Sequence, residues 1–303
     1  MLELIFVIVI IGIIGKFGLE FIAQAYNNFI FSSINNSLQS DSAMVVELIS
    51  SRLQHRIRNS TITKKPNGVF NSIQTGGDST YTILEWISSD IDGFRGNSLT
   101  TDPNNLANWS GVIDLDNSLA GINSLISPET NTTKINNLID ILSNGNSGIG
   151  DAALYFIGSN DSDVINGYGY SGTLTTQDFV IHPINAGVST NSFISGNGDD
   201  FNGTDIYEYY KLAWTAYAVV YSADGNLTLH YDYQPWNGDT YLLKADGITP
   251  TKSSLIMQNV STFRFIAINS LIKIQVCVKS NLFDKVNEIG KQDYSICKEK
   301  TIF

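Results

Sequence analysis

The sequence predicts an α+β protein in which a long N-terminal helix lies across an antiparallel β-sheet head that carries a loop-rich insertion. Three observations carry that prediction. The chain opens on Leu4 to Gly15, LIFVIVIIGIIG, with no polar side chain. Apolar residues then recur at three- and four-residue spacing through Val46, Ile49, Leu53 and Ile57, the pattern of an amphipathic helix. The last third alternates apolar and polar residues around strong turn signals. A chain of 303 residues, 43% of them apolar, has ample material for one or two cores. Its 29 acids against 18 bases give a net charge of -11, which lacks the basic footprint of a protein that grips phosphate backbones. Nucleic acid is not an expected partner.

Residues 1–25 read as a helix made for a membrane or a filament core. Leu4, Ile5, Phe6, Val7, Ile8, Val9, Ile10, Ile11, Gly12, Ile13, Ile14 and Gly15 form its unbroken apolar run, and only Lys16 and Glu20 interrupt before Ala25. About 20 residues cross a hydrocarbon layer, so Leu4 to Ala25 suffices if Lys16 and Glu20 snorkel or pair. A secretory h-region or a plain anchor has a similar composition. Against that reading, no basic segment stands ahead of the run and no small-x-small cleavage site follows it.

Residues 26–60 continue the helix. The Asn- and Ser-rich stretch NNFIFSSINNSLQSDSA predicts a kink or fray. Unbroken from Leu2 to Asn59, the helix is about 87 Å long at 1.5 Å per residue. Arg52, His55, Arg56, Arg58, Lys64 and Lys65 form either a docking patch for an acidic neighbour or, more commonly for such runs, a solvated face.

Residues 61–206 are the loop-rich region. Tyr81 to Ile87, Leu154 to Ile157 and Phe179 to His182 predict strands, and Thr133 to Leu142 a short helix. Much of the chain's complement of 30 asparagines lies between and around them, in tracts with no periodicity. Asp199, Asp200, Asn202 and Asp205 are candidate calcium ligands, as are Asn160, Asp161 and Asp163, since calcium takes six to eight oxygens. Turn chemistry asks for the same residues, and no other cofactor is expected. Gly167, Gly169 and Gly172 spell G-x-G-x-x-G, but the strand-like TLTTQDFVIH that follows favours a glycine-rich turn over a dinucleotide site.

Residues 207–303 form the sheet head and tail. Lys211 to Tyr221 and Leu227 to Tyr233 flank an Asp224-Gly225 turn, with Leu227, Leu229, Tyr231 and Tyr233 on one face. Phe263 to Ile268 and Leu271 to Lys279 predict a second hairpin that turns Ile272, Ile274, Val276 and Val278 inward, against the amphipathic helix.

Met1 to Gly15, MLELIFVIVIIGIIG, resembles the start of a type IV pilin or type II secretion pseudopilin. Those chains open on a Phe-Thr pair, a few apolar residues and a glutamate before an all-apolar helix. Here Glu3 stands nearer the start with no Phe-Thr ahead of it, and no leader precedes it, so a start codon placed inside the motif is the expectation. The resemblance implies that Glu3 is the assembly residue, accepting the N-terminal amine of a neighbouring subunit. A buried carboxylate in lipid needs such a partner; a plain helix-end acid is the simpler account. A second stretch, YKLAWTAYAVVY to IKIQVCVK, is similar to the J- and W-type minor pilins. The resemblance thus implies a minor subunit held in the inner membrane with its head in the periplasm, and its incorporation into an extracellular filament of a pilus, secretion or competence system. The implied partners are other pilins or pseudopilins, the inner-membrane assembly platform, membrane lipid and a prepilin peptidase acting on any upstream leader.

A head outside the cytoplasm and an even cysteine count suggest a Cys277–Cys297 disulfide over two free thiols, and pilins often staple a C-terminal loop this way. His55, His182 and His230 have no metal-ligand spacing, and no nucleophile or phosphate-binding motif is present, so no enzyme is expected. A different class of reading is a β-rich adhesin that stacks a glycan on Trp109 or Trp236, although core packing accounts for both residues more simply.

Overall fold

The computed structural model describes residues 2–75, 78–96, 106–118, 123–159, 163–280 and 295–303. Helix α1 runs unbroken from Leu2 to Leu53, about 78 Å. The expected kink does not form. Ser37 Oγ donates to Asp41, Gln39 to Asn35 and Ser42 Oγ to the Gln39 carbonyl, while Ile34 and Leu38 are already buried against the head. Tertiary packing overrides weak helix propensity here. The helix ends short of Asn59 because the chain turns into the sheet, with the Ile57 N–H bonded to the Ile87 carbonyl at 2.9 Å. Ile57 is buried from that turn and not from the helix stripe.

Strands β1 (Ile62–Lys64), β2 (Phe70–Ser72) and β3 (Ile83–Ser89) follow. Next come helices α2 (Ile91–Phe94) and α3 (Leu115–Ser118), strand β4 (Leu125–Ile126) and helix α4 (Thr132–Ser143). Asn131 caps α4 by accepting the Lys134 N–H, and Asn144 ends it in the left-handed conformation. Strand β5 (Ala153–Phe156), helix α5 (Val164–Gly167) and strands β6 (Ile181–Ala186) and β7 (Ser192–Ser195) complete the middle region. Long β8 (Tyr210–Tyr221), β9 (Leu227–Tyr233), β10 (Lys252–Met257), β11 (Val260–Ile268), β12 (Leu271–Lys279) and β13 (Ser295–Ile302) close the chain.

The pairing is antiparallel throughout. In the larger sheet β8 is shared. One edge pairs with β3 from Ala213 to Val220, and the other takes β5 from Tyr210 to Ala213 and β9 from Ala216 to Tyr221. The chain leaves β3 at Asp90 and enters β8 at Tyr210, and β5, β6, β7 and β4 of the segment between them extend the same sheet. Those points are adjacent, because the Asp90 N–H donates to the Leu212 carbonyl at 2.7 Å. Strands β11, β12 and β13 form a second sheet.

Three cores follow. Helix α1 covers both sheets through Val46, Ile49 and Leu53, meeting Trp86 and Val219 from one and Phe263, Ile274 and Val276 from the other. Ile135, Ile139, Phe156, Phe193 and Leu212 gather in the middle region. The third holds Ile57, Ile87, Tyr168, Tyr233 and Trp236. Gly169 lets the second chain segment approach: a Cβ there would lie 2.5 Å from the Trp236 Cα.

Two expectations change. Leu227 and Leu229 face α1, but a bulge opposite Ala216 and Ala218, with Asp232 at φ +62°, reverses the pleat. Tyr233 therefore points to the third core, and Asp232 is buried 2.8 Å from the Lys252 ammonium. The tail is also no loose segment. It forms β13, directly opposed to β12, so that Cys277 and Cys297 are register partners joined by a disulfide with a Cα–Cα distance of 4.0 Å.

Candidate assembly surface

The N-terminal half of α1 is apolar on every side, a composition that water does not favour and that requires cover from lipid or protein. The head does not supply that cover. Leu4 is 68% exposed and Leu19 72%, and Ile5, Phe6, Val7, Ile8, Val9, Ile10, Ile11, Ile13 and Ile14 are likewise exposed. Beyond the adjoining residues and backbone of α1 itself, nothing lies within 4 Å of a Cβ placed on Gly12 or Gly15. Packing begins only at Ile30, with Ile34 the first buried residue. From Leu4 to Ala25 the helix spans about 33 Å, matching a hydrocarbon layer about 30 Å thick.

Charge on this segment is sparse. Lys16 Nζ lies 3.9 Å from Glu20 Oε1 one turn away, so the two form the pair that the span needs. Glu3 sits in the first turn of α1, exposed, with no side-chain partner among the described residues. A first-turn acid also suits the positive end of the helix dipole.

At its other end α1 is bolted to the head. Buried Arg56 donates to the carbonyls of Leu53 (3.0 Å), Phe303 (3.2 Å) and Ser270 (2.8 Å), tying the helix end to the β11–β12 turn and to β13. Arg52 donates to the Tyr217 hydroxyl at 2.6 Å and lies over that ring. The basic cluster read from the sequence is thus divided. Arg56 and Lys64 serve the interior, with Lys64 Nζ 2.6 Å from buried Glu85, and Lys65 pairs with Asp78 at 3.5 Å. Arg52, His55 and Arg58 stay outward and are joined by Lys211 from β8 and by Arg95, whose charges act on His55. That grouping is invisible in the sequence because it is made across strands.

The candidate calcium ligands do other work. Asp199 accepts the Gln177 N–H at 2.9 Å, linking two loops 22 residues apart, and Asp200 accepts the Asn202 N–H at 2.9 Å, closing a turn. Asp163 caps α5, and Asn160 and Asp161 lie outside the described residues. Among the described residues no group of three or more His, Cys, Asp or Glu is placed to hold a metal ion. Trp109 and Trp236 are buried at 3% and 0% exposure. Their indole N–H groups donate to Asp90 and to the Asp151 carbonyl, so neither offers a stacking platform. Burial raises Asp90 to about 6 against the pull of the Gly93 and Trp109 donors, and holds His182 down at about 4.

Fold and surface together define a class: an α+β head carried on one helix long and apolar enough to span a membrane. No protein-family model, curated protein or solved structure matches the chain.

Proposed function

We propose that this chain is a minor pilin or pseudopilin, a non-enzymatic subunit that assembles through α1 into a type IV pilus, type II secretion or competence filament. One observation carries the reading. A single helix is bare, apolar and headed by a lone acid along its first half, and is packed on an antiparallel sheet along its second. Before assembly lipid covers the bare half, in the inner membrane with the head in the periplasm; after assembly the α1 helices of neighbouring subunits cover it. Glu3 then accepts the amine of a neighbour, and the head acts mechanically, in initiation or capping.

The test is Glu3→Ala in cells that make the filament. Membrane insertion is expected to be unchanged, because one apolar replacement favours the bilayer, while incorporation into sheared filaments is lost. Normal incorporation removes Glu3 from this role.

A further inference from the structure

Two features of the head leave large apolar side chains exposed. The first is a cleft of about 360 Å³ at the foot of α1, with Trp109 in its wall and Phe94, Ile157 and Tyr209 around it. These last three are 47%, 50% and 53% exposed, an apolar patch of the kind that marks a contact site. His55 and Lys211 also line it. Lys211 makes no side-chain hydrogen bond or ion pair among the described residues, and burial, followed by the nearby charges of Arg58 and Arg56, pushes its pKa down. Elsewhere on the head Lys65, Lys244, Lys252, Lys273 and Lys300 each pair with a carboxylate. The cleft therefore combines apolar walls with the Lys211 ammonium, which no carboxylate among the described residues pairs with.

The second feature is the turn at Lys244–Thr249. Asp246 accepts the N–H groups of Ile248 and Thr249 at 2.8 Å and the Thr249 hydroxyl at 2.6 Å. Lys244 and Thr249 close the turn backbone to backbone, and Gly247 takes φ +70°. This firmly held turn presents Ile248 at 82% exposure, with Leu242 at 53% nearby. An isoleucine displayed beside a carboxylate is complementary in both respects to the cleft.

We propose that the Leu242–Thr249 turn of one copy docks into this cleft on the next, Ile248 entering between Phe94, Ile157 and Tyr209 while the Asp246 carboxylate faces Lys211. Knob and cleft share no residue, so the contact is heterologous. Such a contact repeats into an open filament unless its rotation closes a ring. The inference rests on the filament reading and adds which head surfaces meet.

The only two cysteines are already joined, so one introduced thiol per chain gives an unambiguous crosslink. Full chains carrying Ile157→Cys and Ile248→Cys are mixed in lipid vesicles and mildly oxidised. The control pairs Ile157→Cys with Val188→Cys, since Val188 is an apolar loop residue still more exposed than Ile248. The expected result is several-fold more disulfide-linked dimer in the first mixture, reduced several-fold by adding Lys211→Glu to the Ile157→Cys chain. Equal yields in the two mixtures, or no response to Lys211→Glu, overturn the docking. If Glu3→Ala meanwhile abolishes incorporation, the filament reading survives that loss. Selective crosslinking alongside normal incorporation of Glu3→Ala supports the docking and overturns the role of Glu3.

Discussion

Replacing Lys64 by Met tests whether the head is organised around a buried charge. Glu85 is 1% exposed and has two partners, the Lys64 ammonium at 2.6 Å and the Tyr233 hydroxyl at 2.9 Å. The rings of Phe70, Tyr170 and Tyr241 lie 5.5 to 5.7 Å from the same ammonium. Burial, followed by the Glu85 charge, pushes Tyr170 and Tyr233 well above the usual phenol range, so both stay donors. Removing one member of a buried pair costs about 3–5 kcal/mol. Lys64→Met is therefore expected to lose about 4 kcal/mol. Lys64→Met with Glu85→Gln keeps an acceptor for Tyr233 without the charge and is expected to recover at least about 2 kcal/mol of that loss. The assay is urea unfolding by tryptophan fluorescence, on a fragment beginning at Ile30 that retains every α1 residue packed on the head. A loss under about 1 kcal/mol for Lys64→Met, or a double variant no more stable than the single, refutes the reasoning.

Opening the Cys277–Cys297 bridge, which spans a sequence separation of 20, is expected to cost about 3 kcal/mol by chain entropy; an unchanged urea midpoint for Cys277→Ser with Cys297→Ser would contradict this. Buried His182 and Asp90 give opposite pH dependences. His182 protonates at about 4 when folded against 6.5 unfolded, so its contribution is present above 6.5 and lost as pH falls. Asp90 protonates at about 6 when folded against 3.8, so its contribution is present below 3.8 and lost as pH rises through 6. Asp90→Asn should then leave stability climbing by about 3 kcal/mol from pH 4 to 6.5, and His182→Gln should leave it falling from pH 4 to 6; denaturation profiles that run parallel in the two variants exclude these assignments. Finally, Glu20→Gln strands Lys16 within the apolar span and should raise the cost of insertion by about 2 kcal/mol, read as fewer spanning chains in a glycosylation-reporter assay.

Much of the architecture is legible in the sequence where one physical pattern dominates. The spine is long and apolar, the inward row Ile272, Ile274, Val276 and Val278 has period two, and α4 has a clear apolar stripe. Legibility fails where long-range contact decides. Nothing local in NNFIFSSINNSLQSDSA reveals that Ile34 and Leu38 will be buried against a head whose first strand begins at Ile62. The bulge at Asp232 depends on its pairing with β8 and on Lys252. SICKEKTI reads as a polar tail because charges alternate along an edge strand, the usual protection of an unpaired edge. The cleft escapes notice for the same reason: Phe94, Ile157 and Tyr209 are far apart in sequence and meet through the Asp90–Leu212 and Ile157–Tyr209 backbone hydrogen bonds.

The Asp90–Leu212 hydrogen bond bears on how much added length the head can absorb. Residues 91–209 begin and end side by side on the sheet, so everything they build is a plug-in fitted between two strands that would otherwise form a plain hairpin. Lengthening such an excursion costs little, since loop-closure entropy grows only with the logarithm of length. Insertions in the loops of this segment are therefore expected to cost less stability than changes in the spine and its sheet. The segment is tied to the rest of the head by β5 on the Tyr210–Ala213 edge of β8, by Gly169 packed on Trp236 and by the Trp236 indole N–H donated to the Asp151 carbonyl.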